Sequence, residues 1–221
     1  GLRLKKISGD TPKPLMKINR KPFINYLLDL LEKISVKKVY ISICHNVKIF
    51  KKTIPNSYKN IKIIFIEEKI PLGTGGSIVA LSKIIKKKNL FVMNGDSYVN
   101  IDLKKFIDTF KNNNFDALIA LNKSIKNENR FGSIKLDKNN QISEFSEKTK
   151  TKTKYINAGI YIFKKKIFSS FEQQVNYSLE YDLFKSLIKN YEIFGWPFAS
   201  DLIDIGTPNS YKEAFDYFKK N

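Results

Sequence analysis

Two short stretches of this chain carry residue types that could do chemistry. Pro71-Leu72-Gly73-Thr74-Gly75-Gly76 is a glycine-dense turn, and Asn94-Gly95-Asp96 places a carboxylate just past a short apolar run. Glycine lacks a Cβ, so backbone there can come close to a flat base or a phosphate. A carboxylate beyond the C-terminal end of an apolar strand is where open α/β sheets hold ligands and metal ions. With Lys13 upstream and Asp204 downstream, the set suits handling of a nucleoside triphosphate with Mg²⁺. An isolated aspartate after a strand is more often a cap or turn residue; the order and spacing of the whole set carry the reading.

The positioning elements follow from periodicity. Phe23, Tyr26, Leu27, Leu30, Leu31 and Ile34 form a helical stripe over residues 20–34. Val39–Ile43 reads as a buried strand, and Ile61–Ile66 as a second that runs into the glycine turn. A helix over Ser77–Ile85 would point its N-terminus at that turn and offer an anion its free N–H groups. Leu90–Met93 is fully apolar, as the centre of a parallel sheet requires. Leu103–Phe110 reads as helix and Ala117–Leu121 as strand.

After Leu121 the pattern changes. Residues 123–130 are polar and loop-like, and Ser133–Leu136 with Ile142–Phe145 read as a hairpin around 137–140. Ile156–Phe163 is expected as a strand, Leu179–Ile188 as an amphipathic helix, and Ile193–Phe198 and Leu202–Ile205 as strands. Pro208 suits the first turn of a final helix. The organisation expected is one domain over 1–221, with a nucleotide half (1–121) and an acceptor half (122–221).

Composition excludes several classes. No apolar run reaches the roughly 18 residues that span a bilayer, and no signal-peptide pattern opens the chain. A single cysteine, Cys44, excludes an internal disulfide framework and fits a reducing cytoplasm. Cys44-His45 has no second pair, which argues against zinc. The formal charge is +19, yet only Arg3, Arg20 and Arg130 are arginine, the residue on which nucleic-acid readers rely. The expectation is therefore a lysine-coated surface that draws in polyanionic small molecules, with no nucleic-acid or membrane partner.

The chain resembles the sugar-1-phosphate nucleotidylyltransferases. The matching stretches are Arg3-Leu4, Asp10-Thr11-Pro12-Lys13-Pro14-Leu15, Leu72-Gly73-Thr74-Gly75-Gly76 and Asn94-Gly95-Asp96. Further on come Glu147-Lys148, Asn157-Ala158-Gly159-Ile160-Tyr161, Ser178-Leu179-Glu180-Tyr181-Asp182 and Ile203-Asp204-Ile205-Gly206-Thr207-Pro208. They run in the family's order over almost the whole length. The resemblance implies a Rossmann-like three-layer α/β fold with a mixed, mostly parallel central sheet. It also implies transfer of a nucleotidyl group to a sugar 1-phosphate with release of pyrophosphate.

The resemblance carries roles onto these positions. Asp96 and Asp204 would hold Mg²⁺, Lys13 would bind phosphate oxygens, and Arg3 would lie against the leaving pyrophosphate. Pro71, Gly73, Gly75, Gly76 and Asn94 would line the nucleotide. Lys148 would meet the sugar phosphate and Glu147 a ring hydroxyl, with Asn157 and Gly159 along the ring. Asp182 would either touch the sugar or cap structure; Trp196 and Tyr161 read as core or pocket wall. The nucleophile is an already anionic phosphate oxygen, so a single histidine is no obstacle.

Glu68 stands where the family reads the base edge, with Glu67 as the alternative. Guanine offers two adjacent donors that suit a carboxylate, so GTP is favoured over the other triphosphates. A manno-heptose 1-phosphate is the expected acceptor; mannose, glucose and amino-sugar 1-phosphates, or a non-catalytic sugar-nucleotide-binding subunit, are the alternatives. The setting expected is cytoplasmic, in surface-polysaccharide synthesis. The family also begins with an apolar strand and a paired-glycine loop, whereas this sequence starts Gly1-Leu2-Arg3-Leu4. Either it is part of a longer product, or the phosphate cradle is lost and the sheet has an unpaired edge.

Overall fold

The computed structural model describes residues 9–123, 133–146 and 154–220. Arg3-Leu4, Glu147-Lys148 and the polar stretch 124–130 lie outside the described residues. In chain order the strands are β1 (Lys17–Ile18), β2 (Lys21–Pro22), β3 (Lys38–Ile43), β4 (Ser57–Tyr58), β5 (Ile61–Glu67), β6 (Asn89–Met93) and β7 (Ser97–Val99). Then come β8 (Ala117–Asn122), β9 (Ser133–Leu136), β10 (Ile142–Ser146), β11 (Ile156–Lys164), β12 (Ile193–Phe198) and β13 (Leu202–Asp204). The helices are α1 (Phe23–Lys33), α2 (Val47–Thr53), α3 (Gly73–Ile84), α4 (Leu103–Lys111), α5 (Phe184–Asn190) and α6 (Pro208–Lys220).

The chain forms two compact units. One takes Gly1–Lys69, Gly95–Val99 and Leu202–Asn221; the other takes Ile70–Asn94 and Asn100–Asp201. In the first unit α1 buries Phe23, Ile24, Leu27, Leu28, Leu30 and Leu31, the face its helical spacing requires. The helix closes with Ser35 at φ 57°, while Val36 N–H reaches back to Leu31 O at 3.1 Å, a Schellman ending. Asp29 ties α1 to its surroundings: it accepts from Tyr58 Oη at 2.9 Å and pairs with Lys21 and Lys59. Strand β3 runs parallel to β5, and β4 adds antiparallel on the other side of β5. Strands β7 and β13 make a separate antiparallel ribbon. Helix α6 opens on Pro208, capped by reciprocal bonds between Thr207 and Ser210.

The second unit is built on a six-stranded mixed sheet in the order β10-β9-β11-β8-β12, with β6 also paired to β11. Its middle strands are almost wholly apolar and buried: every residue of β8, and all of β11 except Lys164. Strand β12 runs parallel to β8, whereas β11 lies antiparallel to both β6 and β8. Among the described residues the apolar run at 90–93 pairs with an antiparallel neighbour, β11. The core packs Val79, Tyr161, Phe163, Phe168, Leu183, Phe184 and Leu187 against this sheet. The helix expected over 179–188 is divided: a π-helical turn, Leu179–Leu183, leads into α5. Helix α2 and the short strands β1, β2, β4 and β7 are additions to the sequence reading.

Candidate active site

In the first unit, Pro12 and Pro14 flank Lys13 and hold it in a single 3₁₀ turn over Lys13–Leu15. Proline's fixed φ makes this a stiff mount for a cation. Lys13 Nζ lies 3.7 Å from Asp96 Oδ2, with the two side chains 26% and 41% exposed. Asp96 stands immediately before β7, whose Ser97 is the ladder partner of Asp204 at the end of β13. Ile205 N–H donates to Asp96 O at 3.2 Å, and Asp204 Oδ2 accepts from Gly206 N–H at 3.1 Å. The ribbon thus brings Asp96 and Asp204, remote in sequence, to adjacent positions, with a lysine beside one of them. Among the described residues no group of three or more His, Cys, Asp or Glu gathers as a metal cage.

The two glutamates after β5 differ in surroundings. Glu67 points outward and pairs with Lys51. Glu68 is half-buried: its N–H extends the β3–β5 ladder to Ile43 O at 2.8 Å, and its Oε1 accepts from Ser42 Oγ at 2.7 Å. Burial first, and the Glu68 charge second, push the nearby Cys44 thiol above its ordinary pKa. That keeps Cys44 protonated and unreactive at neutral pH.

In the second unit, helix α3 begins within the glycine turn, earlier than the apolar periodicity suggests. Two of the N–H groups expected to receive an anion are taken up by the chain itself. Gly75 N–H and Gly76 N–H both donate to Tyr177 O, at 2.8 and 3.2 Å, and Leu179 N–H donates to Thr74 Oγ1 at 3.1 Å. A Cβ on Gly76 would fall 2.3 Å from Val175 O, and one on Gly73, at φ +68°, would fall 2.6 Å from Tyr177 O. Close approach is the use of these glycines, as the sequence suggests, but here what approaches is the chain's own segment 175–179. Pro71 and Thr74 are exposed at the start of the turn.

A second cluster forms where β11 departs from regular pairing. Its register against β8 shifts between Asn157 and Tyr161, a bulge centred on Gly159 at φ +74°. Asn94 N–H donates to Gly159 O at 2.8 Å, and the Asn94 amide lies where a Gly159 Cβ would be, 2.7 Å away. Asn157, 7% exposed, accepts from Gly159 N–H at 3.0 Å and donates to Tyr161 Oη at 2.8 Å and Glu180 Oε1 at 2.9 Å. Asn94, Asn157 and Gly159 are therefore brought together, with Glu180 and Tyr161 added to them.

Glu180 lies in one of the stretches that carry the resemblance, without a role of its own there. Its signal was its position in the π-helical turn, an irregularity that recurs at functional sites and that one sequence does not display. Asp182, two residues on, is exposed, and its Oδ2 accepts from Ser178 N–H at 2.7 Å while Ser178 Oγ accepts from Tyr181 N–H. Of the two roles open to Asp182, capping is the one with a contact. Arg3, Glu147 and Lys148 lie outside the described residues. Trp196 stacks edge-on against Phe106 at 5.5 Å, a packing residue.

Comparison with known proteins bears on the chain as a whole. A model of the nucleotidyl transferase family matches residues 1–221. The chain is 35% identical over 211 residues to a D-glycero-alpha-D-manno-heptose 1-phosphate guanylyltransferase from Campylobacter jejuni subsp. jejuni, covering 96% of this chain and 92% of that protein. A protein of the same description from Aneurinibacillus thermoaerophilus is 29% identical, with 97% and 92% covered. The crystal structure of HddC from Yersinia pseudotuberculosis superposes with a TM-score of 0.86 at 32% identity, covering 98% of this chain and 94% of that one. The same protein complexed with GMP-PN gives a TM-score of 0.85. The chain belongs to the nucleotidyl transferase family.

Proposed function

We propose that this enzyme transfers GMP from GTP to D-glycero-α-D-manno-heptose 1-phosphate, releasing pyrophosphate, in the cytoplasm and with Mg²⁺. The observation that carries the proposal is the 35% identity to a guanylyltransferase of that acceptor, over 96% of the chain. The half-buried Glu68 carboxylate supports the choice of base, because guanine alone among the bases presents two adjacent donors on its pairing edge.

The chemistry makes one P–O bond and breaks one. An anionic oxygen of the sugar phosphate attacks the α-phosphorus of GTP, and the bond from that phosphorus to the bridging oxygen of pyrophosphate breaks. No proton has to move, so the protein's work is positioning and charge neutralisation. Lys13, stiffened between two prolines and set beside Asp96, is suited to hold phosphate oxygens. Asp96 and Asp204 fit Mg²⁺: both are hard oxygen donors at the same end of the β7–β13 ribbon, and only two protein carboxylates is the usual complement where substrate phosphates and waters complete the shell. When bound, the ion offsets the repulsion between the two phosphate groups. Asn157, buried and hydrogen-bonded through its whole amide, is a rigid element of the sugar-binding surface, oriented by Glu180 and Tyr161.

The test is pyrophosphate release from GTP, UTP, CTP and dTTP, each with Mg²⁺ and a panel of sugar 1-phosphates that includes the manno-heptose. Release with GTP and the heptose well above every other pair is the expected result. A faster rate with mannose 1-phosphate would overturn the acceptor, and a faster rate with UTP or dTTP would overturn the base. Silence across the panel, including in an N-terminally extended chain, would leave a binding subunit in place of an enzyme.

A further inference from the structure

We infer that Ser42 is a positioning residue for base selection, which rests on the guanylyl reading above. Ser42 lies across the parallel ladder from Ile66, and Glu68 follows two residues later on the same face of the strand. Its hydroxyl donates to Glu68 Oε1 at 2.7 Å. Glu68 is also fixed from the main chain, because its N–H donates to Ile43 O at 2.8 Å. The carboxylate is thus held at its root by the ladder and at its tip by Ser42.

That arrangement bears on which base is accepted. A carboxylate oxygen has two lone pairs, so Oε1 can take Ser42 and a second donor together. Guanine presents N1–H and the N2 amino group side by side, and a carboxylate held in a fixed plane can meet both. Uracil and thymine present a carbonyl on each side of a single N–H and would set oxygen against oxygen. Cytosine and adenine present one amino group beside a bare ring nitrogen, which also faces the carboxylate lone pairs. A carboxylate left to rotate would present a less exact partner to guanine and would reject the others less sharply. Ser42 therefore acts on nucleotide affinity and choice, through Glu68, and not on the bond-making step.

The experiment compares Ser42→Ala, Ser42→Thr, Glu68→Gln and the Ser42→Ala/Glu68→Gln pair in steady-state turnover with GTP and UTP. Thermal melting is read alongside as the check of folding. Ser42→Ala is expected to raise the KM for GTP about tenfold, the size of a lost charge-assisted hydrogen bond. Its kcat should stay within about twofold, and the GTP-over-UTP ratio of kcat/KM should fall with the KM effect. Ser42→Thr keeps the hydroxyl on a residue that strands favour, and should retain the wild-type ratio. Glu68→Gln should lower the ratio at least as far, and adding Ser42→Ala to it should change the ratio no further. An unchanged GTP KM in Ser42→Ala beside a shifted Glu68→Gln would overturn the role of Ser42 alone. An unchanged ratio in Glu68→Gln would overturn base reading by Glu68, and Ser42 with it. Should Ser42→Ala not fold, Ser42→Cys, similar in size and a weaker donor, takes its place with the same expectations.

Discussion

The two carboxylates on the β7–β13 ribbon are a contrast between shape and charge that single substitutions can separate. Asp96→Asn and Asp204→Asn each keep an oxygen acceptor, and the amide oxygen introduced at position 204 could still receive the Gly206 N–H. Each is expected to lower turnover by about 10²-fold or more, with a melting temperature within about 2 °C of wild type. Near-normal turnover in both variants would remove them from metal binding. At this scale the sequence was informative where a residue type advertises itself locally: Lys13 between prolines and Asp96 after an apolar run. It was silent where the partner is remote. Glu180 meets Asn157 across 23 residues of sequence, and nothing in its neighbours announces that contact. Glu67 and Glu68 look alike in sequence; the Lys51 pair on one and the Ser42 hydroxyl on the other separate them.

Elements set the space those residues occupy, and the glycine turn shows how unevenly. Gly76→Ala would drive a Cβ to 2.3 Å from Val175 O, a backbone atom, with Leu72 Cβ at 3.1 Å and Tyr177 N at 3.4 Å closing the space around it. The expected cost is about 3 kcal/mol, a fall in melting temperature of ~6–12 °C for a chain of this size. Gly95→Ala meets only Pro14 Cγ at 3.4 Å, an ordinary contact, and should cost under about 0.5 kcal/mol. Equal melting of the two variants would contradict the packing described. The existence of the turn is legible from composition, but the segment that fills it is not, because residues 175–179 arrive there through tertiary folding. The same holds for Asp29 on α1. Burial by itself would raise its carboxyl pKa, yet the hydrogen bonds from Lys21, Lys59 and Tyr58 outweigh this and hold it below the ordinary value. A depressed folded-state pKa gives stability that is full above the unfolded carboxylate pKa of about 4 and is lost as pH falls through the lowered value. Asp29→Asn should therefore flatten the acid limb of the stability–pH curve, measured by urea unfolding between about pH 5 and pH 2.

For the molecule as a whole, a charge of +19 acts before any specific contact is made. Its field concentrates a triphosphate near the protein and is screened as the Debye length contracts from about 10 Å at 0.1 M salt to about 3 Å at 1 M. The KM for GTP should rise about threefold or more between 0.05 and 0.5 M KCl, with kcat little changed. A KM indifferent to salt would show that charge has no part in capture. Among the described residues no helix is long and apolar enough to cross a membrane. The order of motifs along the chain made the α/β class readable in advance, since each motif is a local pattern. Which segments join into one body is different in kind. The unit that carries Lys13, Asp96 and Asp204 is assembled from three separate stretches, and no shift of composition marks their edges.

That assembly has a consequence for how the protein comes into being. Translation delivers Asp96 long before Asp204, and β7 has β13 as its ladder partner. A nascent chain, however well its earlier helices have formed, holds half of its carboxylate pair until Leu202–Asp204 emerges and zips onto Ser97–Val99. A chain that stops short of Leu202 would thus lack the ladder partner of β7 and, with it, one of the two carboxylates proposed to hold the metal.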